Sequence, residues 1–101
     1  MISPQRFRHL MWYLFSGTKG GTNRIRIIQL IRKRPFNTHQ LSRELNVDYR
    51  TVLHHVKILT DNQFIECEGK KYGEVYFLTE MFEKEISTFE EIVKKLGDKD
   101  I

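Results

Sequence analysis

The sequence predicts a single α+β domain, mostly α, and three observations carry that expectation. Apolar residues recur at helical spacing in five segments, two of these segments are joined by a turn of three residues, and two β-prone runs flank a glycine-bounded tip. At 101 residues the chain can build one modest core and is too short for a core plus a catalytic lobe.

The first helix is expected over 4–16. Ser3 supplies a cap and Pro4 a first helical residue, and Phe7, Leu10, Met11, Leu14 and Phe15 then follow at i, i+3, i+4, i+7 and i+8. Trp12 and Tyr13 stand outside that stripe, so this helix has a second apolar contact to make. Gly17-Thr18-Lys19-Gly20-Gly21 breaks it. That segment is a connecting loop rather than a phosphate cradle, because no Gly-Lys-Ser/Thr follows at the required spacing and no strand precedes it.

Thr22 or Asn23 is the expected cap of a second helix, nearly ringed by Ile25, Ile27, Ile28, Leu30 and Ile31 and ended by Arg32-Lys33-Arg34-Pro35. Those cations suit a helix C-terminus as well as a phosphate. Asn37 and Gln40 have the spacing of a capping box and open a short helix with Leu41 and Leu45 inward; Asn46 suits a left-handed stop. Asp48 caps the next helix, Tyr49 to about Thr60, so the turn is Asn46-Val47-Asp48: the spacing of a helix-turn-helix.

Projected at about 100° per residue, Val52, Val56 and Leu59 share one side of that helix, with His55 beside them. Arg50, His54 and Lys57 fall opposite, with Tyr49 and Thr51 near the N-terminus. Such a face offers donors for guanine and for phosphates, which is what reading a major groove requires; the bland alternative is a solvated face. Two runs follow, Phe64 to Glu68 and Glu74 to Leu78, around Gly69-Lys70-Lys71-Tyr72-Gly73. They form a hairpin wing whose Lys70, Lys71 and Tyr72 can lie along a phosphate backbone or an adjacent minor groove.

Charge agrees with this division. Residues 1–60 carry eleven Lys/Arg against Glu44 and Asp48, a balance of +9, whereas residues 61–101 carry six Lys against eleven Asp/Glu, a balance of −5. A basic body with an acidic end fits a chain of which one part meets a polyanion.

Asn37-x-x-Gln40-Leu41-Ser42-x-x-Leu45, Asp48-Tyr49-x-Thr51-Val52, His54-His55-Val56-x-x-Leu59 and Phe64-Ile65 resemble the pattern of ArsR-type winged helix-turn-helix regulators. The likeness is greatest to short archaeal members, which also carry a phrase like Gly17 to Arg24, and it spans roughly residues 10 to 80. The resemblance implies operator binding by a two-fold dimer, with the helix from Tyr49 to Thr60 in the major groove and the 70–72 wing alongside; Thr38 and His39 complete the expected set of DNA-contacting residues. The founding members sense metals through a cysteine pair in the first helix of the motif. Thr38 to Leu45 holds no cysteine, so metal sensing does not carry over.

No metal or other cofactor is expected. His54 and His55 are adjacent and point about 100° apart, while His9 and His39 sit on other elements, so no i, i+4 ligand pair exists. His55 reads as a partly buried buttress of the motif. Cys67 is alone and cannot form an intrachain disulfide; it reads as a small strand residue.

A last helix follows Thr79, with Phe82, Ile86, Phe89, Val93 and Leu96 as a heptad seam and Gly97 as its stop. The seam can pack on its own domain or on a second copy. With Trp12 as spare aromatic surface, dimerisation is the reading adopted here, and Trp12, Phe82, Ile86, Phe89, Val93 and Leu96 are the expected interface. The division is a single domain over 1–101: N-terminal helix and loop 1–21, winged-helix core 22–78, and C-terminal dimerisation helix 79–97.

The expected function is a sequence-specific regulator of transcription that binds double-stranded DNA as a homodimer. The alternative is a winged-helix protein-interaction module, or an architectural DNA-binding module without strong sequence preference. No nucleophile and base, carboxylate pair or cofactor loop stands at usable spacing, so an enzyme is not expected, and no exposed aromatic sheet suggests RNA. Leu10 to Phe15, the longest apolar run, falls short of the roughly 20 residues of a membrane span, and Met1 to Pro4 lacks signal-peptide architecture. A cytoplasmic location without a membrane partner is expected.

Overall fold

The computed structural model describes residues 2–69 and 74–99. In these, helices α1 (Pro4–Ser16), α2 (Gly21–Lys33), α3 (Thr38–Leu45) and α4 (Tyr49–Asp61) precede strands β1 (Ile65–Glu68) and β2 (Val75–Leu78), and α5 (Glu80–Lys84) and α6 (Ile86–Lys99) follow. The fold is mostly helical, with one antiparallel hairpin, and is a winged helix-turn-helix.

The local signals act where they stand in the sequence. Ser3 Oγ accepts from the Arg6 amide, and α1 buries Phe7, Met11, Leu14 and Phe15. Asn37 Oδ1 accepts from the Gln40 amide at 2.8 Å while Gln40 Oε1 accepts from the Asn37 amide at 2.9 Å, which satisfies two of the free donors at the start of α3. Asn46 closes α3 at φ 54°, and the Asp48 carboxylate accepts from the Arg50 and Thr51 amides at 3.0 and 3.3 Å. Both ends of the three-residue turn are thereby pinned.

Helix α2 starts earlier than its expected caps, Thr22 or Asn23. Gly20 adopts φ 93°, a conformation open to glycine at little cost, and the chain enters the helix at Gly21. Gly21 is pressed against the Phe15 carbonyl, where any Cβ would collide. The joint between α1 and α2 is thus backbone on backbone.

Strands β1 and β2 pair from Ile65 with Leu78 to Glu68 with Val75. Phe36, just before α3, adds a bridge to Tyr76: the Tyr76 amide donates to the Phe36 carbonyl at 2.8 Å and the reverse bond spans 3.4 Å. This short third pairing ties β2 to the entry of α3.

The core gathers Phe7 and Phe15 of α1, Phe64 ahead of β1, Phe82 of α5 and Phe89 of α6. Ring centroids lie 5.1 Å apart for Phe7 and Phe64, 5.3 Å for Phe64 and Phe82, and 5.3 Å for Phe15 and Phe89, separations at which aromatic pairs gain beyond simple burial. The expected single last helix is two. Thr79 caps α5 by accepting from the Phe82 amide at 3.1 Å, the chain turns at Glu85, and α6 then runs back along α1. Gly97 does not end it but lies inside α6. The turn at Glu85 is held by Arg8, whose guanidinium is 2.9 Å from the carboxylate.

Candidate nucleic-acid interface

Helix α4 divides as its spacing requires. Val52, His55, Val56 and Leu59 are buried, whereas Tyr49, Arg50, Thr51, Leu53, His54 and Lys57 are exposed along the opposite face. Lys57 Nζ sits 3.0 Å from Asp61 one turn further on, an exposed pair whose net worth in water is small. The cation is therefore held without being neutralised at a large cost to any competing phosphate. From α3, His39 stacks on Tyr49 with centroids 4.4 Å apart and planes 20° apart, so two expected contact residues on different helices form one aromatic platform.

Thr38 does not join this surface. It is the first residue of α3, beside the Phe36 and Tyr76 bridge, and only 8% of it is exposed, so it belongs to the interior and not to a groove-facing set. Lys70, Lys71 and Tyr72 lie outside the described residues.

Behind the exposed face of α4 is a residue that the sequence reading missed. Arg24 of α2 is 2% exposed and has no carboxylate partner among the described residues. Its Nε donates to the Leu14 carbonyl at 2.9 Å, one terminal nitrogen donates to Thr18 Oγ1 and to the Lys19 carbonyl, and the other reaches His55 Nδ1 at 3.1 Å. Guanidinium nitrogens only donate, so His55 Nδ1 must accept and the proton of the neutral ring sits on Nε2. Burial, then the charge of Arg24 and then that of His54, holds the His55 pKa below the usual histidine range. Burial also draws Arg24 downward. The signal was available in the spacing: Arg24, Ile27, Ile28 and Ile31 stand at i, i+3, i+4 and i+7, placing the arginine on a core stripe.

The expected dimer residues separate into two groups. Phe82 (0% exposed) and Phe89 (1%) are spent on the chain's own core, because the turn at Glu85 folds both against α1; neither has surface for a partner. Trp12, Ile86, Val93 and Leu96 are half-buried at the edge of that core. Trp12 carries the Lys95 ammonium 5.6 Å over its ring, and Tyr13 beside it is 59% exposed. Among the described residues, no group of three potential metal ligands is close enough to hold an ion, and no helix is long and apolar enough to cross a membrane.

Comparison with known proteins agrees with this geometry. Residues 22–66, which hold α2, the helix-turn-helix and the start of the hairpin, match the family of bacterial regulatory proteins of the arsR type. A MarR transcriptional regulator from Methanosarcina mazei superposes with a TM-score of 0.69 at 17% identity, covering 93% of this chain and 68% of that one. Rv0081 of M. tuberculosis gives 0.66 at 12% identity over 100% of both chains. Reduced HlyU from Vibrio cholerae gives 0.62 at 12%, covering 79% of this chain and 83% of its own. No curated protein sequence matches the chain. Residues 22–66 thus resemble the arsR family, and the chain as a whole has the fold of a winged helix-turn-helix with an exposed basic face on α4.

Proposed function

We propose that the chain regulates transcription as a cytoplasmic homodimer that reads a two-fold-symmetric operator, each copy laying α4 in a major groove. The observation that carries this reading is the outward face of α4, where Arg50, His54 and Lys57 stand exposed on a helix whose start is pinned by Asp48. Arg50 is suited to guanine O6 and N7, His54 to a base edge or phosphate, and Lys57 and Thr51 to the backbone. His39 and Tyr49 flank that face, and Lys70, Lys71 and Tyr72 between the strands are assigned to salt-dependent contact with the adjacent backbone. Pairing is assigned to the α1 and α6 edge around Trp12, Val93 and Leu96, which is continuous with exposed Tyr13. This also directs the acidic end of the chain away from phosphates.

The test is selection from a random duplex library at moderate salt, followed by the salt dependence of the winning site. The expected result is a palindrome with half-sites about one helical turn apart. Absence of any enriched motif, with weak and steeply salt-dependent binding, would favour the architectural reading.

A further inference from the structure

Leu53 is out of place for a residue with only a structural role. It is 43% exposed, it is not among the apolar side chains packed on the core, and it is one of three large apolar residues with that degree of exposure among the described residues. The second of the three, Tyr49, is on the same helix. Counting about 100° per residue from Tyr49, Leu53 falls at about 40°, Lys57 at about 80°, Arg50 at about 100° and His54 at about 140°. The leucine therefore stands between an aromatic platform and the cations.

Resting on the reading that α4 enters a major groove, we infer that Leu53 is a specificity residue that reads the C5 methyl group of a thymine. The major-groove edge presents few apolar features, and the thymine methyl is the one that an aliphatic side chain recognises, because burying the two together removes apolar surface from water without stranding a polar group. Arg50, three residues earlier on the same face, is built for guanine, so the thymine belongs to a base step next to the guanine that Arg50 contacts. The chain thus combines a hydrogen-bonding and an apolar reader on adjacent bases. A protein partner for the same leucine is the competing occupant, but it would have to bury Arg50, His54 and Lys57 as well, and these suit a polyanion better.

The experiment uses the full chain and the selected duplex, with each half-site dT replaced in turn by deoxyuridine, which deletes only the methyl group. At one thymine per half-site the replacement lowers affinity of the wild-type protein about fourfold, the factor carried by one buried methyl-sized group. Leu53→Ala binds the dT and deoxyuridine duplexes equally, and its thermal unfolding is unchanged because the side chain supports no core contact. If the protein selects a clear motif but no replacement distinguishes wild type from Leu53→Ala, the methyl reading is overturned and the regulator reading stands. If Leu53→Ala lowers no DNA affinity at all, the residue belongs to a protein-binding surface. If no motif is selected, both readings fall together.

Discussion

Replacing Arg24 by Met tests whether the buried guanidinium is what seats α4 on α2. The substitution keeps an aliphatic stem in the α2 stripe and removes every donor. The Leu14 carbonyl, which accepts at 2.9 Å, then keeps only the Thr18 hydroxyl at 3.3 Å, and His55 Nδ1, at 3.1 Å, is left in the interior without that partner. A buried acceptor stranded in this way costs about 1 to 3 kcal/mol, and the relief of burying an unpaired cation offsets part of the sum, so a net loss of about 3 kcal/mol is expected. Domains of this size are stable by only about 5 to 15 kcal/mol, and a loss of that order lowers Tm by roughly 12 to 24 °C. Urea unfolding followed by far-UV circular dichroism measures it. Adding His55→Leu should cost less in the Arg24→Met background than alone, since the partner is already gone. A change below about 1 kcal/mol, or strict additivity of the two substitutions, would refute the reasoning.

Other expectations follow from the same contacts. Because His55 titrates below its ordinary value of about 6.5, the unfolded chain binds a proton there that the folded chain refuses; stability is therefore level above about pH 7 and declines as pH falls from there toward the folded pKa, by at most about 1.4 kcal/mol per pH unit. His55→Phe should flatten that slope between pH 5 and 7 in urea titrations, and an unchanged slope assigns the effect elsewhere. Arg50→Ala should cost about 1 to 3 kcal/mol at one operator position and relax preference there, whereas Lys70→Ala with Lys71→Ala should weaken all duplexes evenly, so equal effects across sequences would remove the division of labour. Trp12→Asp with Leu96→Asp should yield folded monomers in sedimentation, while Phe89→Asp, which places a charge among the core phenylalanines, should unfold the subunit; a folded Phe89→Asp monomer would contradict that packing.

What was legible in the sequence was what short range decides. The caps at Ser3, Asn37 and Asp48 and the left-handed Asn46 act on amides two or three residues away, so their residue types suffice to place them. The two faces of α4 were likewise readable from period alone. The seam over Phe82, Ile86, Phe89, Val93 and Leu96 was readable as a set of burying residues but not as to what covers it, since periodicity states which side is apolar and leaves the partner open. The turn at Glu85 settles it for Phe82 and Phe89. Arg24 escaped because a charge tally counts every arginine as surface, and the burial of Thr38 beside exposed His39 goes with the Phe36 and Tyr76 pairing, which joins residues far apart in sequence.

The phenylalanine cluster bears on how this protein is made. Phe7 and Phe15 pack on Phe64 and on Phe82, and Phe15 also on Phe89, so the cluster closes only once α5 and α6, the last elements to be synthesised, are in place. A chain that lacks α5 and α6 keeps the packing of Phe7 and Phe15 on Phe64 but leaves the ring faces that Phe82 and Phe89 cover open to water, the kind of exposed apolar surface that chaperones and proteases engage. Completion of α6 is thus what closes the core: a chain without it has the helix-turn-helix but not the cover over the rings of α1.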